Sequence, residues 1–310
     1  MKPLLSICIP IYNRSGFLKR ILERLLEEKS FFQDNVELFV SDNCSPENLG
    51  EICKLYQERG LNLQYHRNDD NIGMDGNFAN CFRKARGEYV LLLGSDDIPV
   101  PGFIANLLPY LKNCDFGLIH LYTNSYEAPV LKLYDDHNVF LSDVGFWVTF
   151  ISANIVATKY VNDIDFNCYQ GSMIAQVPLY LEAACKSDRN AIFSGVFYED
   201  ENDSKNNGGY HLFKVFVDNL FGIYVKYVKN GLLSRKSFEQ IKKTEYREFL
   251  VGFIVECLIQ KRKKSFDIKG SWKILWSHYG HYPYAYVYLA KYLIDASLKR
   301  IGIAHIRTGR

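Results

Sequence analysis

No two of the eight cysteines form a C-x-x-C pair; they stand singly at positions 8, 44, 53, 81, 114, 168, 185 and 257. That spacing excludes a zinc ribbon or a thioredoxin-type centre. Several of them fall inside apolar periodic runs, where cysteine behaves as a small hydrophobe, so a reduced, cytoplasmic setting is expected. Long apolar runs are missing too. The longest near the C-terminus, Phe249–Ile259, has 11 residues and contains Glu256, short of the ~18–20 needed to cross a bilayer. Leu4–Tyr12 is too short for a signal peptide, has no small-residue cleavage site and reads as a strand. An excess of one charge is nearly absent: 37 Lys+Arg against 35 Asp+Glu leave +2. No nucleic-acid-binding motif and no internal repeat is found, so nucleic acid is not an expected partner.

What is present is a globular composition, 48% apolar and 23% charged over 310 residues. It excludes a disordered or collagen-like chain and allows one large domain or two modest ones. The small net charge hides a split. From Lys226 to Arg310 there are 18 basic and 6 acidic residues, net +12, and Met1 to Val225 carries net −10. An acidic body with a basic end region points to two tasks, the basic one facing something anionic.

The first 120 residues alternate between strand and helix patterns. Leu4–Ile11 is a continuous apolar run, as in a strand covered on both faces. Leu18, Ile21, Leu22, Leu25 and Leu26 follow at helical spacing. Val36–Val40 is a second strand, and Ser45-Pro46-Glu47 reads as a helix start with Ser45 as N-cap. Leu61–His66, Tyr89–Leu93 and Phe116–Tyr122 are further strands, Tyr89–Leu93 being the most apolar and expected to be central. Helices are expected around Phe78–Ala85 and over Gly102–Leu111. Such alternation specifies an α/β fold with a mainly parallel sheet and helices on both faces. From Glu127 to Asp143 the expectation is loop with short strands, then a strand over Phe150–Tyr160, a helix over Ser172–Cys185 and a last strand over Ala191–Tyr198. Glu199–Gly209 reads as a mobile polar loop. Beyond Tyr210 the pattern is helical, giving a domain to about residue 215 and a basic, aromatic-rich helical C-terminal region over 216–310.

Polar clusters close the strands: Tyr12-Asn13-Arg14, Ser41-Asp42-Asn43, Asn71-Ile72-Gly73 and Gly94-Ser95-Asp96-Asp97. Ligands of open α/β sheets bind beyond the carboxyl ends of the strands, so one crevice lined by carboxylates, amides and an arginine is expected. Adjacent carboxylates such as Asp96 and Asp97 repel each other, and a divalent cation relieves that cost with help from substrate phosphates; the alternative is a polar turn before Pro99 and Pro101. Asp42 suits a base N–H or ribose hydroxyl, or else a helix cap. Asn71 and Gly73 alone are turn residues. His211 suits either closure over a diphosphate or a plain surface position. Lys261-Arg262-Lys263-Lys264 with Trp272, Trp276 and many tyrosines suits an anchor on an anionic membrane surface, or solvated helix faces.

Taken together, Pro10-Ile11-Tyr12-Asn13-Arg14, Val40-Ser41-Asp42-Asn43-Cys44-Ser45, Asn71-Ile72-Gly73 with Asn77, and Gly87 through Asp97 resemble the family 2 inverting glycosyltransferases of GT-A (Rossmann-like) fold, over about the first 110 residues. The Ser-Asp-Asn-Cys-Ser and Leu-Gly-Ser-Asp-Asp forms look most like the abequosyltransferase-like branch, which builds bacterial surface polysaccharides such as O-antigen. The resemblance implies a donor site of Pro10, Tyr12, Asn13, Arg14, Asp42, Asn71, Asn77, Ser95 and Asp96, and Mg²⁺ or Mn²⁺ on Asp96 and Asp97. It implies a nucleotide diphosphate sugar donor, most often a UDP-sugar, and a glycan or lipid-linked glycan acceptor. The cysteine usage leads to a cytoplasmic location, and the basic region, where it serves as an anchor rather than as solvated helix faces, to a peripheral one on the inner face of the cell membrane. Two departures stand out. Gly94 occupies the place where many members have the first Asp of D-x-D. The stretch Tyr169–Gln176, where members carry Glu-Asp, has no acid; Asp163 and Asp165 lie just upstream and Glu182 lies within the helix, and Asp165 is the expected base, the alternative being that Asp163 and Asp165 are solvated turn residues. The rival readings are a sugar nucleotidyltransferase, whose Gly-rich phosphate loop is missing after the first strand, and a non-catalytic nucleotide-sugar or membrane-binding module.

Overall fold

The computed structural model describes residues 2–113, 115–123, 129–161, 164–199, 209–262 and 266–300. Asp163, Cys114, Lys263, Lys264 and most of the loop at 199–209 lie outside them. The chain divides into two compact units, Met1–Asp203 and Ser204–Arg310.

The first unit is built on one eight-stranded sheet: β1 (Leu5–Ile11), β2 (Val36–Asp42), β3 (Leu63–Arg67), β4 (Tyr89–Leu92), β5 (Leu118–Thr123), β6 (Val130–Tyr134), β7 (Asn154–Ala157) and β8 (Asn190–Gly195), in the order β3-β2-β1-β4-β7-β5-β8-β6. The pairs β3–β2, β2–β1, β1–β4 and β5–β8 are parallel, while β7 runs antiparallel to both β4 and β5 and β6 antiparallel to β8. All seven residues of β1 and of β2 are buried, as expected of strands covered on both faces.

The covering helices are α1 (Ser15–Leu26), α2 (Phe31–Asp34), α3 (Leu49–Glu58), α4 (Gly73–Lys84), α5 (Phe103–Asn113), α6 (His137–Val144) and α7 (Val177–Lys186). Leu18, Ile21, Leu22 and Leu25 of α1 pack into the same apolar core as Leu49, Cys53 and Tyr56 of α3 and Ile104, Leu107 and Leu111 of α5. Alternating βα units thus place the carboxyl ends of β1, β2, β3 and β4 side by side.

Three local expectations need correction. Ser45 is not a helix cap: α3 starts later, with Asn48 accepting from the Glu51 N–H at 3.3 Å. Residues 137–144 form a helix rather than loop, capped by the Asp136 side chain on the Asn138 N–H. The stretch over 150–160 is a four-residue strand set between short 3-10 turns at Ile151–Ala153 and Thr158–Tyr160.

The second unit is helical: α8 (Leu220–Lys229), α9 (Arg235–Glu245), α10 (Val251–Phe253), α11 (Ser271–Tyr279) and α12 (Pro283–Arg300), with π-helical turns at Lys214–Asn219, Tyr246–Leu250 and Ile254–Ile259. Phe221, Tyr224, Phe238, Ile241, Leu250 and Tyr279 are among its buried residues. His211, for which sequence left closure over a diphosphate or a plain surface position, belongs to this unit: its Nε2 meets the Lys269 carbonyl at 2.7 Å and its Nδ1 accepts from the Lys214 N–H at 3.1 Å.

Candidate functional site

A continuous line of polar contacts crosses the strand ends of the first unit. At the end of β1, Asn13 adopts φ 58°, a left-handed conformation that Asn tolerates better than most residues. Its N–H donates to Ser45 Oγ at 2.9 Å, and the Ser15 N–H donates to Glu47 Oε2 at 2.7 Å. Ser45 and Glu47 therefore hold the turn that projects Tyr12, 45% exposed, and Arg14. Pro10 lies inside β1, opposite Ser41.

At the end of β2, Asp42 is fully buried. Its Oδ1 accepts from the Ser45 N–H at 2.9 Å and its Oδ2 from the Tyr65 hydroxyl at 2.7 Å, with Arg67 Nε 3.8 Å from Oδ2. Asp42 thus orients two side chains of β3. Burial, and then the bond to Asp42, push the Tyr65 phenol well above its usual range, so it stays a neutral donor. Cys44, directly after, takes φ 64°. Backbone strain of this kind concentrates where a site is held in shape by its surroundings, and a third such residue, Met173 (φ 63°), belongs to the loop before α7.

The asparagines form an amide network, buried at Asn43, Asn68 and Asn77 and exposed at Asn71. Asn43 donates to Asn71 Oδ1 at 2.8 Å and accepts from the Ile72 N–H at 3.0 Å. Asn77, 3% exposed, accepts from Ser41 Oγ at 2.7 Å and donates to the Ser41 carbonyl at 2.9 Å. Asn68 donates to both Asn43 Oδ1 and Asn77 Oδ1. Asn71 and Asn77 therefore tie α4 and the β3 exit to β2.

At the end of β4 the two acidic residues separate. Asp96, 42% exposed, faces Arg14: Nη1 lies 3.0 Å from Oδ2 and donates to Ser95 Oγ at 3.0 Å. Asp97 turns inward, its Oδ2 accepting from Ser152 Oγ at 2.5 Å, and Ser152 Oγ in turn accepts the Gly94 N–H at 2.7 Å. A Cβ at position 94 would sit 2.5 Å from Asp97 Oδ2. Glycine is what lets the Asp97 carboxylate fold back, and a side chain there and the inward Asp97 exclude each other. Burial raises Asp97 to about 6, the neighbouring Asp96 adding to this and the Ser152 bond opposing it. Ser152 reaches the site because β7 is antiparallel to β4, with Leu91 opposite Ile155; the start of β7 lies beside the end of β4.

Sequence reasoning also missed Asp75. This 6% exposed carboxylate in the first turn of α4 accepts from the Met173 N–H at 2.9 Å and the Ala175 N–H at 3.2 Å. It anchors the acid-free stretch before α7. Asp165 is exposed and caps the turn Phe166–Tyr169, its Oδ1 accepting from the Asn167 N–H at 2.9 Å. Glu182 pairs with Lys186 at 2.8 Å. Strand-end order and chain direction were legible from sequence; Tyr65, Ser152 and Asp75 lie outside any recognisable motif.

Among the described residues no group of three or more His, Cys, Asp or Glu could cage a metal. Asp96, with the Asp97 oxygen that Ser152 does not engage, is the carboxylate set at this strand end that could hold a cation whose remaining ligands are phosphate oxygens and water, the usual arrangement for Mg²⁺.

Residues 6–141 match the family model "Glycosyl transferase family 2". The abequosyltransferase RfbV of Salmonella typhimurium is 28% identical over 186 residues, which take in 53% of this chain and 56% of that protein, little more than half its length. The fold resembles Staphylococcus aureus TarS residues 1–349 in complex with UDP-GlcNAc, at TM-score 0.57 and 16% identity over 85% of this chain and 76% of that one. It also resembles the mannosyltransferase PcManGT of Pyrobaculum calidifontis in complex with GDP-Man and Mn²⁺, at TM-score 0.53 and 14% identity over 97% and 88%. The family model thus matches the part of the chain that holds β1 to β4, whose ends carry the polar line, and the fold is the GT-A fold of these structural neighbours.

Proposed function

We propose that this chain transfers a sugar, with inversion, from a nucleotide diphosphate sugar to a hydroxyl of a glycan acceptor, in the synthesis of a bacterial surface polysaccharide. The observation that carries the reading is the polar line from β3 to β7, in which Arg14 joins the β1 end to Ser95 and Asp96. Asp42 holds Tyr65 and Arg67 at the β3 edge, where they suit a nucleobase and ribose; a UDP-sugar is the proposed donor, by likeness to the TarS complex with UDP-GlcNAc. Arg14 supplies a guanidinium at the diphosphate position. Mg²⁺ or Mn²⁺ on Asp96 and Asp97, a reading supported by a fold neighbour solved in complex with GDP-Man and Mn²⁺, would neutralise charge on the leaving diphosphate. A carboxylate, for which Asp165 is the candidate, takes the acceptor proton as that oxygen bonds to the anomeric carbon; the bond from that carbon to the diphosphate breaks, releasing the nucleoside diphosphate.

The basic helical unit is proposed to hold the enzyme on the inner membrane surface near a lipid-linked acceptor. Product detection over a panel of nucleotide sugars tests the reading. Transfer yields a glycoside and a nucleoside diphosphate; a nucleotidyltransferase would yield pyrophosphate and a binding module no product. Asp96→Asn is expected to lower turnover by roughly 10²–10³-fold, the scale of losing one group that stabilises transition-state charge. Undiminished turnover in Asp96→Asn would remove this carboxylate from the mechanism.

A further inference from the structure

The cation on Asp96 in this structure is a side chain of the protein itself. Arg14 Nη1 stands 3.0 Å from Asp96 Oδ2, and the same nitrogen donates to Ser95 Oγ. The backbone on either side of Arg14 is fastened by Ser45 and Glu47, so the base of the side chain is fixed while its end rests on a flexible stem. The pair sits just past the carboxyl ends of β1 and β4, with the Arg14 side chain 25% and the Asp96 side chain 42% exposed. Asp97 Oδ2 is engaged by Ser152, its inward turn permitted by Gly94, so the direct ion pair of Arg14 at this strand end is with Asp96. A guanidinium and a divalent cation placed on one carboxylate oxygen repel each other at close range. A metal that takes Asp96 Oδ2 therefore displaces Arg14 from that oxygen, and a displaced guanidinium at this spot is served by another anion. A diphosphate supplies one with matching fork geometry.

We propose that Arg14 is a resident countercharge exchanged on donor binding. It neutralises Asp96 in the empty enzyme, competes with the metal for it, and moves to the diphosphate when metal and nucleotide enter together. This rests on the donor-and-metal reading above and adds an order to it: metal binding is weak alone and strongly coupled to the nucleotide. By linkage, nucleotide and metal raise each other's affinity by the same factor, and Arg14 sets much of that factor.

Mn²⁺ binding followed by the loss of the free-ion electron paramagnetic resonance signal, with and without UDP or GDP, tests this without reference to turnover. Arg14→Gln is expected to bind Mn²⁺ alone roughly two- to fivefold more tightly than wild type, the scale of one partly exposed ion pair. It is also expected to bind nucleotide at least roughly tenfold more weakly, having lost a charge-assisted contact, and to show a smaller metal–nucleotide coupling. Arg14→Lys keeps the competing charge and should leave Mn²⁺ affinity near wild type. Arg14→Met retains the aliphatic stem and serves if the Gln variant melts early. If wild type takes up Mn²⁺ with nucleotide but neither Gln nor Met tightens Mn²⁺ alone, the exchange is wrong and the donor-and-metal reading survives. If nucleotide binds and no Mn²⁺ is taken up by any form, the exchange and the metal assignment both fall.

Discussion

His120 and Asp97 are buried groups whose titrations pull stability in opposite directions. His120 is 3% exposed, its Nδ1 3.0 Å from Asn154 Oδ1, and burial lowers it to about 4 despite that bond. Its neutral form is the native one. The unfolded chain binds the proton first, so this stability is complete above pH ~6.5 and falls by ~3 kcal/mol as pH drops toward 4. Asp97 is raised to about 6, so it favours the folded state below its ordinary carboxylate range and loses a similar ~3 kcal/mol as pH rises to 6. The two slopes offset each other in the wild-type profile. Urea unfolding of His120→Gln against wild type between pH 4 and 7.5 separates them: the wild-type advantage should shrink by ~3 kcal/mol toward pH 4. A difference that stays constant with pH would show that His120 is not buried neutral.

Elements, rather than single residues, hold the site together, and α4 is the clearest case. Its Asn77 is bound to β2 and its Asp75 to the loop before α7. Asp75→Ala would strand the N–H groups of Met173 and Ala175, at a cost of ~2–3 kcal/mol. The expected local signature is faster amide hydrogen exchange over residues 171–176, with Asp75→Asn affected less because one acceptor oxygen remains. Unchanged exchange in the Ala variant would mean that Asp75 does not anchor this loop. In the helical unit, the apolar stripe from Tyr246 to Leu258 reads as one helix, yet π-helical turns at Tyr246–Leu250 and Ile254–Ile259 interrupt it. A π turn adds a residue to the hydrogen-bonded ring without changing composition, so periodicity cannot reveal it.

Across the whole molecule, the net +12 of residues 226–310 and the exposed aromatics of the helical unit belong to one prediction. Trp272 and Trp276 are 55% and 64% exposed, four residues apart on α11, and so share a face. Tyr286, Val287 and Ile294 of α12 are also exposed, as are Lys261 and Arg262. The predicted attachment by this unit is through aromatic insertion and basic contacts worth ~1 kcal/mol each; among the described residues no helix is long and apolar enough to cross a membrane. Co-sedimentation with vesicles containing anionic lipid should be strong at low salt, weaken as salt is raised, and fall in Trp272→Ala/Trp276→Ala and in Lys261→Ser/Arg262→Ser. Wild type remaining in the supernatant at low salt would leave these faces without a lipid role.

The sequence by itself determined the elements that obey a local rule. The runs at β1 and β4 are apolar but for Ser6, and β2 keeps Val36, Leu38, Phe39 and Val40 in its buried run, because both faces are covered; α1 and α3 show their buried stripes at helical spacing. Polar residues at strand ends were legible for the same reason: the core stops there. Tertiary structure alone decided where those polar groups point. Ser45 looks like a helix cap and is instead a support for Asn13. Asp96 and Asp97 are adjacent in sequence, yet one faces Arg14 and the other Ser152. Ser152 enters the site only because β7 runs antiparallel to β4, and Asp75 reaches Met173 and Ala175 across about a hundred residues of chain. Local preference acts over a few neighbours, whereas hydrogen-bond partners of buried polar groups are chosen by whichever segments the sheet order brings alongside.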